Sequence, residues 1–140
     1  MKIAGLDHIT INVTDLQKSA EFYKIGLGLK ETGFIDMGDH TLTYFELPQK
    51  VRLELIDYAE KTAKRDGKET DPGIYRHFCL ETDNLEELAK ICLERGISVR
   101  KSPSYVEKLA CSTMLIVDPN GVEIEIIQKQ EMSYELSNGN

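Results

Sequence analysis

The stretch LDHITINVTDLQKSAEFYKIGLGL, residues 6–29, sets the fold, because a second stretch answers it further along the chain. Its first part alternates cleanly, with Ile9, Ile11 and Val13 on one side and His8, Thr10 and Asn12 on the other, the mark of a half-buried strand. Thr14 or Asp15 then offers an oxygen to cap a helix whose apolar positions include Leu16, Ala20, Phe22 and Tyr23, ending near Gly26 to Gly28. HFCLETDNLEELAKICLERGISV, residues 77–99, repeats that order: a strand, an Asp83/Asn84 cap, a helix carrying Leu85, Leu88, Ala89 and Cys92, and Gly96 as the stop. A shift of 69 residues lays His8 on His77, Asp15 on Asn84, Leu16 on Leu85 and Ala20 on Ala89. A tandem duplication accounts for this spacing.

Short runs rich in aromatic and branched residues follow each helix. In the first half GFIDMGDH, TLTYFELP and VRLELIDY read as three strands, with His40 in a turn at the surface; in the second, ISVRKSP, STMLIVD and VEIEIIQK are divided by the loop SPSYVEKL and the turn DPNG. Each half therefore runs β, α, β, β, β, and the fold class is α+β with two tandem modules. The predicted modules span 1–58 and 74–128. The charged connection 59–73, closed by Pro72 and Gly73, lies between them, and together they make one domain over 1–130 with a polar tail at 131–140.

Composition narrows the partners. Against 17 basic residues stand 24 acidic ones, a net charge of −7, which disfavours nucleic acid and anionic membranes. Three cysteines, Cys79, Cys92 and Cys111, cannot close into a full set of disulfides and form no CxxC pair, as expected for a reducing cytoplasm. No secretory leader and no membrane span are expected from MKIAGLDHIT or from any later run.

The strand GVEIEII, residues 121–127, puts Glu123 and Glu125 on one face and the apolar Val122, Ile124 and Ile126 on the other. By the same alternation His8 with Thr10 and Asn12, Arg52 with Glu54, and His77 with Cys79 and Glu81 face away from the helices; Cys79 then faces the site, and Arg52 and Glu81 are candidates for an ion pair. Two imidazoles and several carboxylates at corresponding places of two halves suit a divalent ion such as zinc, nickel or cobalt. Side chains two apart on a strand stand roughly 7 Å apart, so Glu123 and Glu125 are not both expected to bind one ion.

These motifs, with RLELI and VDPNGVEIEII, resemble the vicinal oxygen chelate superfamily, which includes glyoxalase I, extradiol dioxygenases, methylmalonyl-CoA epimerase and bleomycin resistance proteins. The resemblance implies paired βαβββ modules forming a cupped mixed sheet with helices outside. It implies metal ligands from the first and last strand of each module: His8, Glu54, His77 and Glu125, with Glu123 the bystander. A His, Glu, His, Glu set looks most like glyoxalase I, a lyase that moves a proton on a carbonyl–thiol adduct through a metal-bound enediolate, and on that likeness Glu125 or Glu54 transfers the proton. The resemblance also implies a homodimer acting on a small molecule. Other members sequester drugs or metabolites, or act as epimerases and dioxygenases. Glyoxalase I of bacteria usually carries glutathione-binding Arg and Asn where this chain has Asn12 and Tyr58. Retained metal chemistry is the expectation, and glutathione recognition does not follow from the resemblance.

Overall fold

The structure, a computed structural model, describes residues 1–63 and 67–130. The connection's residues 64–66 and the expected tail at 131–140 lie outside the described residues. The chain divides into two compact units, Met1–Pro72 and Gly73–Asn140.

In the first unit β1 (His8–Asn12) leads through α1 (Leu16–Glu21) to β2 (Lys30–Asp36), β3 (His40–Glu46) and β4 (Arg52–Tyr58). The sheet order is β1-β4-β3-β2: β4 returns to lie parallel to β1, and the other pairs are antiparallel. Asp15 is the cap, its Oδ1 accepting from the Lys18 backbone N–H at 3.2 Å. The helix does not keep one pitch to its end. Beyond Glu21 it widens into a π-helical turn over Phe22–Gly26, closed by Leu27 N–H donating to Phe22 O at 2.9 Å. This turn leaves Tyr23 fully buried and Ile25 exposed. Tyr23, Phe45, Leu53 and Leu55 are the large inaccessible side chains of this unit, from α1's extension, β3 and β4. Alternation on β4 thus delivers Leu53 and Leu55 to the core and leaves Arg52 and Glu54 on the opposite face.

The second unit repeats the plan with β5 (His77–Glu81), α2 (Leu85–Glu94), β6 (Ser98–Val106), β7 (Cys111–Val117) and β8 (Glu123–Lys129), in the order β5-β8-β7-β6. Asn84 caps α2 through Oδ1, which accepts from Glu87 N–H at 3.0 Å. Gly96, at φ +67°, turns the chain out of the helix, and Ile97 N–H donates back to Cys92 O at 2.9 Å. Leu85, Cys92, Met114, Ile116, Ile124 and Ile126 form the core. Val122, expected on β8, precedes it: its N–H is held by Asp118 Oδ1 at 2.8 Å in the DPNG turn.

Two expected loops are strand. His40 opens β3, with Nδ1 2.6 Å from Asp39 Oδ1 and its ring 5.1 Å from that of Tyr58. SPSYV belongs to β6, an edge strand that tolerates Pro103 because its outer N–H side needs no partner. Tyr105 therefore lies on a strand and is exposed.

The β3–β4 connection carries backbone strain. Gln49 and Lys50, exposed and without a glycine's freedom, adopt φ of 61° and 62°. A left-handed conformation costs roughly 1–2 kcal/mol for a residue bearing a Cβ. Lys50→Gly is expected to raise stability by about 1 kcal/mol, since relief of strain outweighs the added freedom of the unfolded chain. Urea unfolding of the two proteins, read as a rise in midpoint at constant slope, checks this.

Candidate metal centre

Parallel pairing decides which side chains meet. On β1 and β4 the register sets His8 beside Arg52 and Thr10 beside Glu54; on β5 and β8 it sets His77 beside Glu123 and Cys79 beside Glu125. Glu54 and Glu125 are thus equivalent, each opposite the residue two beyond its histidine. Shifting Glu54 by 69, the interval that matches the histidines, would instead reach Glu123. The second module is two residues longer between its first and last strands.

In the first module His8 Nε2 lies 3.9 Å from Glu54 Oε1. His8 Nδ1 stands 2.6 Å from Asp7 Oδ2, and since a carboxylate accepts only, the ring donates from Nδ1. A neutral ring then presents the Nε2 lone pair toward Glu54. Asp7 also accepts from Arg52 Nη2 at 2.8 Å, and the Arg52 guanidinium lies 4.4 Å from the Tyr44 ring centroid. The His8 bond, followed by Arg52, holds the Asp7 carboxyl below its usual range. Glu54 is buried, and two hydroxyls donate to it: Thr10 to Oε1 at 3.1 Å, and Tyr44 to Oε2. The bond to Glu54, with burial behind it, raises the Tyr44 phenol above its usual value.

The second module holds its pair more loosely. His77 Nε2 lies 3.5 Å from Glu125 Oε2, and the ring's buried Nδ1 has no hydrogen-bond partner among the described residues. Where Thr10 and Tyr44 stand in the first module, the register places Cys79 and Leu115. Glu125, 26% exposed in its side chain, therefore accepts from the Cys79 thiol at 3.4 Å, a weak donor, and from no phenol at the matched place. Although Cys79 as a residue is exposed, burial around its sulfur, then Glu125, pushes the thiol up to about 12. Cys79 is a protonated donor at neutral pH.

Both pairs have the chemistry of metal ligands. Two bonds of about 2.1 Å at a tetrahedral angle set donor atoms roughly 3.4 Å apart, close to the His77–Glu125 separation, and the His8–Glu54 pair needs a wider angle. A histidine ligand typically donates its other ring N–H to a carboxylate, as His8 does to Asp7. His8 is thus brought together with Glu54, and His77 with Glu125. Among the described residues no three His, Cys, Asp or Glu side chains gather closely enough to hold an ion.

A family model described as the glyoxalase/bleomycin resistance protein/dioxygenase superfamily matches residues 5–126. The chain belongs to this superfamily. Lactoylglutathione lyase of Salmonella typhi is 28% identical over 141 residues, covering 94% of this chain and 97% of that protein. Among solved structures, glyoxalase I of Leishmania major superposes with a TM-score of 0.71 at 22% identity, covering 98% of this chain and 95% of that one. An antibiotic binding protein from Streptomyces sp. CB03234 gives 0.73 at 21% identity over 93% of this chain and 99% of that one. At those identities the structures speak for the shared fold of two βαβββ modules. Among the described residues no helix is long and apolar enough to cross a membrane.

Glu123 has its own partners, Arg100 donating to Oε1 and Arg76 Nη2 at 3.8 Å from Oε2. Arg52 pairs with Asp7 and Glu81 with Lys129, in place of the expected pair between them. Sequence reasoning missed Asp7, Tyr44, Arg76 and Arg100. Alternation in TLTYFEL would have put Tyr44 on one face of its strand, but only the neighbouring strand reveals that Glu54 lies opposite.

A hydrogen bond to a charged group is worth about 1.5–3 kcal/mol. Tyr44→Phe, which leaves the ring under Arg52 and removes only the hydroxyl facing Glu54, is expected to lower unfolding free energy by about that amount. Leu115→Ile, at the matched place in the second module, is the control. Denaturant titration compares them.

Proposed function

We propose that the protein is a metal-dependent lyase or isomerase of the glyoxalase I type, acting on an adduct of a small carbonyl compound and a thiol. His8, Glu54, His77 and Glu125 are the proposed ligands of one divalent ion, zinc, nickel or cobalt, in a homodimer. The observation that carries this reading is the pair of register-matched His–Glu contacts, one in each module. The lactoylglutathione lyase relatives, aligned over nearly the whole chain, support the reaction class. Three free cysteines agree with a cytoplasmic setting.

A bound divalent ion supplies Lewis acidity that makes the hydrogen next to a carbonyl easier to remove. The chain's own groups differ in what they can add. Glu54 is fixed by two hydroxyl donors and buried, so its oxygens stay where the fold puts them. Glu125 is more exposed and carries a single thiol contact, so it is the carboxylate free to leave its resting position and accept a proton. We assign it the proton transfer, from one carbon of the adduct to its neighbour, with Glu54 as the fixed ligand. Asp7 acts through His8, holding the ring so that Nε2 faces inward.

Elemental analysis of the purified protein is expected to show one divalent ion per chain, lost in the double variant Glu54→Gln/Glu125→Gln. With methylglyoxal and a panel of thiols, Glu125→Gln is expected to reduce kcat by roughly 10²-fold or more, the usual contribution of a positioned acid–base group. An ion-free protein that binds small molecules without turning them over would make it a sequestering member of the superfamily. Oxygen uptake with a catechol and no isomerisation would make it a dioxygenase.

A further inference from the structure

At matched positions the two modules carry the same kind of ion pair with its signs exchanged. Before β1, Asp7 holds Arg52 of β4; before β5, Arg76 faces Glu123 of β8. In the first module this pair also serves the histidine. Asp7 Oδ2 meets both Arg52 Nη2 at 2.8 Å and His8 Nδ1 at 2.6 Å, so the pair lies along the Nδ1 edge of the ring and its acidic member takes the ring's proton. In the second module the carboxylate stands at the other place. Glu123 occupies the position of Arg52, as the register neighbour of the histidine on the same face of the sheet.

The exchange leaves two polar atoms unsatisfied. His77 Nδ1 and Glu123 Oε2 are both buried, and neither has a hydrogen-bond partner among the described residues. Nδ1 lacks a preceding carboxylate because Arg76, whose side chain only donates, stands at the place of Asp7. Oε2 has Arg76 Nη2 at 3.8 Å, beyond hydrogen-bond reach. The other oxygen, Oε1, is held: Arg100, the extra residue of a bulge on β6 between Val99 and Lys101, donates to it from Nη1. One corner of the carboxylate is thus anchored, and rotation about that anchor moves Oε2. Neighbouring strands lie about 4.8 Å apart, within the span of these two side chains. A buried donor and a buried acceptor each cost free energy while unpaired, and one bond between them removes both costs.

We infer that Glu123 is the positioning residue of the second module: it accepts the Nδ1 proton of His77 and leaves the Nε2 lone pair facing Glu125, whose Oε2 is 3.5 Å away. It is the counterpart of Asp7, supplied by the returning strand instead of the residue before the histidine. That Nε2 then binds an ion rests on the metal centre proposed above; the hydrogen bond itself does not. With its proton on Nε2, donated to Glu125, the ring would be closed as a ligand on that side.

The test reads the ring nitrogens directly. Full-length protein labelled with 15N-histidine is freed of metal by a chelator and held at about pH 8, above the ordinary imidazole range. Long-range 1H–15N correlation reports which nitrogen carries the proton, and the His77 signals are assigned by their loss in His77→Gln. A proton on Nδ1 of His77 and a bare Nε2 are expected. Glu123→Gln, whose amide keeps a carbonyl for Arg100, is expected to show Nε2–H at His77 with His8 unchanged, and to bind zinc roughly 10–100-fold more weakly in competition with a chelating dye. Wild-type His77 with its proton on Nε2, or an Nδ1–H form that persists in Glu123→Gln, overturns the inference, and the first of these needs no variant to fold. Zinc bound equally by both proteins keeps the metal centre and removes Glu123's role. Loss of Nδ1–H in the variant, in a protein that takes up no zinc, keeps Glu123's role and removes the metal centre.

Discussion

The arrangement depends on the parallel pairing of the first and last strands within each module. Histidine and glutamate are far apart in the chain, His8 from Glu54 and His77 from Glu125, and they meet because the chain crosses by a helix to the far edge of the sheet and winds back through antiparallel strands to the side of the first. Parallel strands require such a crossover. The turn chemistry serves this return: Asp15 and Asn84 start the helices, and Gly96 ends the second. Side-chain alternation then sends Leu53, Leu55, Ile124 and Ile126 to the core and the ionisable groups to the other face. A slip by one residue would reverse both assignments at once, so burial of the core protects the chemistry of the opposite face.

Each module has such a return strand, and the two modules differ in how they hold the glutamate at the matched place. In the first, Thr10, Tyr44, Arg52, Asp7 and His8 form a connected network around Glu54. In the second, Cys79 and Leu115 take the places of Thr10 and Tyr44 and leave Glu125 with less restraint. One carboxylate is held by two hydroxyls and buried, the other by one weak thiol donor and partly exposed. In the proposed reaction this difference would give Glu54 the part of fixed ligand and Glu125 that of proton carrier.

Much of this was legible in the sequence because it is local. Strand alternation in DHITINV and GVEIEII gave the faces, and the caps and glycines gave the helices, since each signal lies within a few residues of its effect. The relation between modules was legible only in part. The 69-residue interval aligns the histidines and helix caps, yet it carries Glu54 to Glu123, and Glu125 was reached through family resemblance. Strand register corrects the interval, because the second module is longer between those strands. The π-helical turn after Glu21 and the bulge at Arg100 were hidden for a related reason: each adds a residue to a regular element, which periodicity reads as continuous. SPSYV looked like a loop because Pro103 and the small polar residues around it break strands in a sheet's interior, whereas at an edge they do not.

The exchanged signs of Asp7–Arg52 and Arg76–Glu123 bear on how a chain with two like modules reaches its own fold. Two modules of the same topology in one polypeptide can trade strands while collapsing, β1 finding β8 or β5 finding β4. The first error would set Asp7 beside Glu123, and the second would set Arg76 beside Arg52. Like charges facing each other across strands are unfavourable, while each native pairing joins opposite charges. In each module the charge pattern thus favours the module's own returning strand over its sibling's.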